Sequence, residues 1–145
     1  MGRFIAIMST LLLFLTAAGY LYRLTPYTYT DEDNAFADES AAAMLALMER
    51  IACEGNALQK QSPGQAVDIY WEGQYEFNRL KHAALFYKGA MAEDFVYALD
   101  LAEAWCKYAA DAADNPYDAK ARLAAEQRLA AARAEFRAII AKEYR

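Results

Sequence analysis

His82 is the one histidine of the chain, so any chemistry built on imidazole has a single starting point. That excludes bis-histidine haem and every site that needs several imidazoles. A His–Met haem in a helical core would take Met44, Met48 or Met91 as its second ligand, although no CxxCH attachment sequence is present. The next candidates are paired carboxylates. Glu72 and Glu76 stand one helical turn apart, and Glu93 adjoins Asp94. Such pairs can hold a divalent cation or exchange a proton. A di-iron bundle, however, wants Glu-x-x-His on two helices, and that motif does not occur. The acids therefore read as solvated faces and helix-start charges. Cys53 and Cys106 form no CxxC motif and have no neighbouring histidine in sequence, which argues against zinc and thioredoxin-like chemistry. Two alternatives stay open for them. In an oxidising compartment they can form one disulfide, and otherwise they serve as small apolar residues of a helical interior. No phosphate-binding glycine loop, GxSxG, HExxH or kinase signature is found. The expectation is a non-enzymatic protein with no cofactor and no resident metal.

Contact chemistry is better represented. Residues 70–108 hold ten of the chain's twenty aromatic side chains. They point in too many directions along their helices for all to be core. Tyrosine and tryptophan are enriched at interface hot spots. Tyr70, Trp71, Tyr75, Tyr97 and Tyr108 are the candidates for binding a protein partner, against the alternative that half of the group is core and the tyrosines form its rim.

Location is written at the N-terminus. After Met1-Gly2-Arg3 comes an uncharged apolar run of 19 residues, Phe4 to Tyr22, closed by Arg23. At about 1.5 Å per residue such a helix just crosses a hydrocarbon core of about 30 Å. Tyr20, Tyr22 and Arg23 stand where an aromatic belt would meet the headgroups. The alternative is a secretory signal peptide with its apolar core at Phe4 to Leu15 and cleavage after Ala18 or Gly19. Residues 1–23 are thus expected to be a transmembrane anchor or signal peptide, and residues 24–34 a linker. The α-amino group tips a near-tie of flanking charges toward an inside N-terminus. The rest of the chain is then expected outside the cytoplasm, in the periplasm of a bacterium, tethered to the inner membrane or free if the leader is removed.

Charge is uneven along the body. Residues 24–118 carry 6 basic and 17 acidic side chains, whereas residues 119–145 carry 7 basic and 3 acidic. An acidic body argues against nucleic acid as a partner, because phosphate contacts need a basic surface. The basic C-terminus, Arg137, Lys142 and Arg145, can face anionic headgroups or neutralise the acidic body.

The elements that must position these residues are helices. The three prolines all fall at boundaries. A first helix is expected over about 35–60, with Met44, Leu47, Met48, Ile51 and Leu58 at helical spacing. Ser62-Pro63-Gly64-Gln65 predicts a helix start with Ser62 and Gln65 as reciprocal caps. The second helix runs to about Lys88 and carries Val67, Tyr70, Trp71, Gln74, Phe77, Lys81, Ala84 and Leu85 on one stripe, with left-handed Gly89 ending it. The third covers about 91–113, with Phe95, Leu99, Ala102, Trp105 and Ala109 inward. Asn115-Pro116 opens a fourth, about 116–144, edged by Leu123, Leu129, Phe136, Ile139 and Ile140. Short links between long helices favour an antiparallel up-down bundle of about four helices over 35–145.

Residues 83–110 also resemble one unit of a tetratricopeptide-type helical repeat, through Tyr87-x-Gly89 and Asp94-Phe95-x-x-Ala98. The likeness covers a single unit, whereas a stable solenoid needs about three, so it implies no function here. The expected role is that of a membrane-anchored or exported helical accessory or scaffold protein of the bacterial envelope that binds another protein. The alternative is a periplasmic carrier of a cofactor or small ligand, with its pocket between the second and third helices.

Overall fold

A computed structural model describes residues 27–145. The apolar segment Phe4–Tyr22, its flanking charges and the expected anchor or signal peptide of residues 1–23 lie outside the described residues. The described residues are all-helical, with four helices and no strand: α1 Asp31–Gln59, α2 Pro63–Ala84, α3 Gly89–Asp114 and α4 Ala119–Ile140. None of them is long and apolar enough to cross a membrane.

Each helix starts where a specific device stops the chain from extending further back. α1 opens on a capping box. The Thr30 hydroxyl accepts from the Asp33 amide at 3.2 Å, and the Asp33 carboxylate accepts from the Thr30 amide at 2.9 Å. Asp31, Glu32 and Asp33 also meet the positive end of the helix dipole. The expected linker therefore ends earlier than expected, because residues 31–34 form the first turn of α1. α2 begins with Pro63 at its first position, but Ser62 makes no side-chain capping bond, so that expected box does not form. α4 is capped by Asp118, whose carboxylate accepts from the amides of Lys120 and Ala121 at 3.0 and 2.9 Å. Asn115, expected as the cap, accepts instead from the Tyr117 amide within the connection.

Gly89 is left-handed, with φ +44°, as expected, but it stands at the head of α3 rather than closing α2. α2 already stops at Ala84. A Cβ at Gly89 would lie 2.7 Å from the Tyr29 hydroxyl and 2.8 Å from Tyr27 Cδ2. Glycine satisfies both the backbone angle and the close approach of the two rings.

The four helices form an antiparallel bundle, and contacts along each seam show the sense. Gly55 of α1 abuts Tyr70 of α2, and earlier in α1 Ile51 abuts the later Gly73. Across α2 and α3, Asn78 pairs with Glu103 and the later Lys81 reaches the earlier Asp100. Across α1 and α4, Glu49 meets Arg133, and Asn34 in the first turn of α1 meets Tyr144, which follows the end of α4. α1 contacts α2 and α4 along its length and touches α3 little, as expected for diagonal positions. Phe77, Phe95, Phe136, Met48 and Leu99 fill the interior with essentially no exposure. Between these large layers, buried alanines such as Ala41, Ala66, Ala98 and Ala132 let the backbones approach.

Two expected stripes are rotated. On α2 the inward line is Ala66, Tyr70, Gly73, Phe77 and Ala84, so Trp71 and Leu85 point outward. On α4 it is Ala121, Ala125, Ala132, Phe136 and Ile139, leaving Leu123 and Ile140 exposed. The stripe on α3 is as expected: Phe95, Leu99, Ala102, Trp105 and Ala109 are all buried.

Candidate interaction surfaces

The five aromatic side chains singled out as partner contacts divide among three places. Tyr70 is a correction: it is 3% exposed and belongs to the core. Its ring meets Trp105 edge-on at 6.0 Å and 79°, and its hydroxyl donates to Asn56 at 3.2 Å. Burial pushes its phenol pKa above the ordinary value. Trp71 and Tyr75 lie on the outer side of α2, 46% and 74% exposed, and line a shallow groove with Gln74, Asn78 and Glu103. Tyr97 is exposed and Tyr108 is half-buried against the core. At 3.6 residues per turn these two project within about 20° of each other on α3, and Tyr97 lies about 120° from Glu103, the residue that faces α2. Tyr97 and Tyr108 therefore do not extend the Trp71–Tyr75 surface.

The seam between α2 and α3 is polar. Lys81 donates to Asp100 at 2.7 Å and to Glu103 at 2.6 Å, and Asn78 donates to Glu103 at 3.3 Å. Burial pulls Glu103 upward, but the hydrogen bonds from Lys81 and Asn78 outweigh it and hold the carboxyl below its ordinary value. Lys81 is raised in turn by Asp100 and Glu103. This seam locks α2 against α3 and so fixes the angle at which Trp71 and Tyr75 are presented.

The groups with potential chemistry are not brought together. His82 is exposed on α2, and its Nδ1–H donates to the Asn78 carbonyl at 2.8 Å. Met44, Met48 and Met91 are all buried in the core, away from that outer face. Glu76 is held below its ordinary pKa by the Arg79 guanidinium one turn on. Asp94 accepts from Lys142 and from the Tyr144 hydroxyl. Among the described residues no three metal-ligating side chains cluster. The cysteines are both free, which corrects the disulfide alternative. Cys106 is buried, with its sulfur against Gly73 and beside Ile51 in the α1–α2 seam. Cys53, two residues beyond Ile51, is turned about 200° from it and is exposed. Burial pushes the Cys106 thiol well above the ordinary thiol range.

The expected membrane-facing bases are largely matched within the chain. Lys142 pairs with Asp94 and lies 4.9 Å from the Tyr144 ring centre, and Arg145 pairs with Glu143 at 2.7 Å. Arg137 is exposed and lends its charge to Glu49.

Two features escaped sequence reasoning. One is a cavity of about 230 Å³ where α1 ends and α4 begins, with Trp105, Ala109 and Leu129 as apolar lining and Asn56, Arg122 and Glu126 at its polar side. Ligand pockets usually span about 300–1,000 Å³. This cavity is smaller, and all four helices line it, with Tyr70 from α2 and Trp105, Ala109 and Ala112 from α3.

The other feature is the opposite end of the bundle, which is aromatic. Tyr29 stacks obliquely on Tyr144 at 5.3 Å and donates to the Lys88 carbonyl at 3.0 Å. Phe36 meets Tyr87 edge-on at 5.0 Å, and Tyr87 meets Phe95 at 5.1 Å. Lys88 donates to Asp33 at 2.7 Å, tying the α2–α3 connection to the first turn of α1 and drawing the Asp33 carboxyl below its ordinary value. At the tip of that connection Leu85 and Phe86 are 61% and 90% exposed. The signal was present in the sequence as Leu85-Phe86-Tyr87, three bulky apolar residues in a row before a glycine at a helix reversal.

No family model matches the chain, and searches of curated proteins and of solved structures found no match.

Proposed function

We propose that the chain is a helical accessory or scaffold protein of the bacterial envelope, anchored by or exported through its apolar leader, that holds a protein partner on the outer face of α2. The observation that carries this is the pair Trp71 and Tyr75, one turn apart and exposed on a helix whose inward line, Ala66, Tyr70, Gly73, Phe77 and Ala84, is packed. Large aromatic side chains with polar tips, held at a fixed angle, lose little entropy on contact and are the usual anchors of protein interfaces. The polar neighbours Gln74, Asn78 and Glu103 supply the rim that such an interface has.

The test is affinity purification of the full chain from membranes, comparing the natural sequence with Trp71→Ala/Tyr75→Ala. A Tyr117→Ala control removes an even more exposed aromatic, 94% exposed, from the α3–α4 connection. Both variants should keep their stability within about 0.5 kcal/mol, because the side chains removed are exposed. Loss of a specific co-purifying protein with the α2 variant alone is the expected outcome. Equal recovery of the same proteins with both variants refutes the assignment of the surface.

A further inference from the structure

We infer that the Leu85–Phe86 tip of the α2–α3 connection rests in a lipid surface, so that the bundle stands end-on against the membrane. The inference rests on the anchor reading of Phe4–Tyr22 given above. Adjacent leucine and phenylalanine side chains stand at a helix reversal 61% and 90% exposed, and Leu85 only edges an open depression beside Val96. What specifies lipid is where the chain enters the bundle. Tyr27 packs against Gly89, three residues beyond Phe86. Five residue steps lead from Tyr22, the end of the apolar run, to Tyr27, a contour of at most about 18 Å. An anchor ending at Tyr22 thus holds this end of the bundle, and not the Tyr117 end, within reach of the headgroups.

The surroundings match an interface. Tyr27 and Tyr87 flank the tip as amphipathic rings of the kind found at headgroup level. Insertion of such a tip reaches about 5–10 Å into the headgroup–acyl boundary. Charge does not assist it. Lys88, the nearest base, is already paired with Asp33, and Asp31 and Glu32 stand at the same end. The contact is therefore apolar, requires no anionic lipid, and persists at high salt.

The experiment uses the full chain with Cys53→Ser, which removes the exposed thiol and leaves buried Cys106 unlabelled. An environment-sensitive fluorophore is attached at Phe86→Cys or, as control, at Tyr117→Cys. Both positions are about nine-tenths exposed, so neither substitution removes core packing. The chain is reconstituted into phosphatidylcholine vesicles containing a lipid with a nitroxide near its headgroup. The expected result is flotation with the vesicles and at least about threefold stronger lipid quenching at 86 than at 117, with weaker quenching by aqueous iodide. Flotation with equal lipid quenching at both positions overturns the tip contact and leaves the anchor standing. Shielding of position 86 from both iodide and lipid nitroxide means that a second copy or another protein covers the tip, and it also overturns the proposal. Failure of the chain to float removes the anchor reading, and this inference falls with it.

Discussion

Gly55→Ala is the substitution for which the bundle makes the sharpest demand. A Cβ added at Gly55 would stand 2.4 Å from Tyr70 Cζ, 2.6 Å from its hydroxyl and 2.7 Å from Cε1. Comfortable carbon–carbon contact is about 3.5–4.0 Å, so the ring must retreat by about 1 Å or more. Retreat weakens two interactions. The hydrogen bond from Tyr70 to Asn56 is worth about 0.5–1.5 kcal/mol, and the edge-on contact with Trp105 about the same. Against this, alanine in a helix interior is favoured over glycine by about 0.8–1.0 kcal/mol. The net expectation is a loss of about 1 kcal/mol, and at most about 2, toward the lower end of the range usual for overpacked cores. A second background turns the magnitude into a sign. In Tyr70→Leu the atoms that clash are gone, and Gly55→Ala should then stabilise by just under about 1 kcal/mol. Urea titration of the full chain in mild detergent, followed by far-UV circular dichroism at unchanged m value, reads both numbers. Stabilisation by Gly55→Ala in the natural sequence, or an equal loss in both backgrounds, would refute the close α1–α2 approach at this point.

Other consequences can be measured on the same protein. Native chain should react with a thiol reagent at one position, Cys53, and denatured chain at two, and no reaction before reduction would restore the disulfide. Glu49 lies below its ordinary carboxyl value chiefly because Arg133 donates to it, so the α1–α4 pair contributes fully above about pH 4.5 and is lost as pH falls through the lowered value. Glu49→Gln should therefore cost about 0.5–1 kcal/mol near neutrality for this half-exposed pair, and the difference from the natural chain should close in acid. A gap that widens below pH 4.5 would contradict the pairing. Asn34 pairs with both the amide and the carbonyl of Tyr144, at 2.8 and 3.3 Å. Asn34→Ala should cost about 1–2 kcal/mol and open the last residues to carboxypeptidase, whereas unchanged resistance to the enzyme would show that the Tyr144 ring alone retains the tail.

Helix type and number were readable because the chain is rich in good helix formers and its breaks coincide with proline and glycine. Rotation of the helices was not. On α2, Tyr70 and Trp71 are both large and aromatic and differ by about 100°, and periodicity alone could not say which of them faces inward. Two residues too small to register as apolar decide it. Gly55 and Gly73 create the close α1–α2 seam, and the seam admits Tyr70 over the first and Cys106 beside the second. α4 shows the same effect, since its inward line is mostly alanine and leaves Leu123 outside although it is the more hydrophobic residue. The first helix starts earlier than expected because Thr30-x-x-Asp33, which reads as part of a polar spacer, is a capping box with aspartate in place of the usual glutamate.

The aromatic end was hidden for a different reason. Tyr29, Lys88 and Tyr144 are far apart in sequence and meet only once the helices are folded into the antiparallel bundle. That same closure bears on what Leu85 and Phe86 are for. A connection this short could reverse direction with polar residues at lower aggregation risk, so two exposed apolar side chains need a reason outside the bundle's own packing. Tyr29, Gly89, Lys88 and Asp33 fix the tip from beneath, through a hydrogen bond, a ring contact and an ion pair. A rigidly supported apolar tip can enter a headgroup layer without ordering itself first. On the end-on stance proposed above, the side face carrying Trp71 and Tyr75 would stand clear of the membrane plane, because an antiparallel bundle set on its end turns the flanks of its helices sideways.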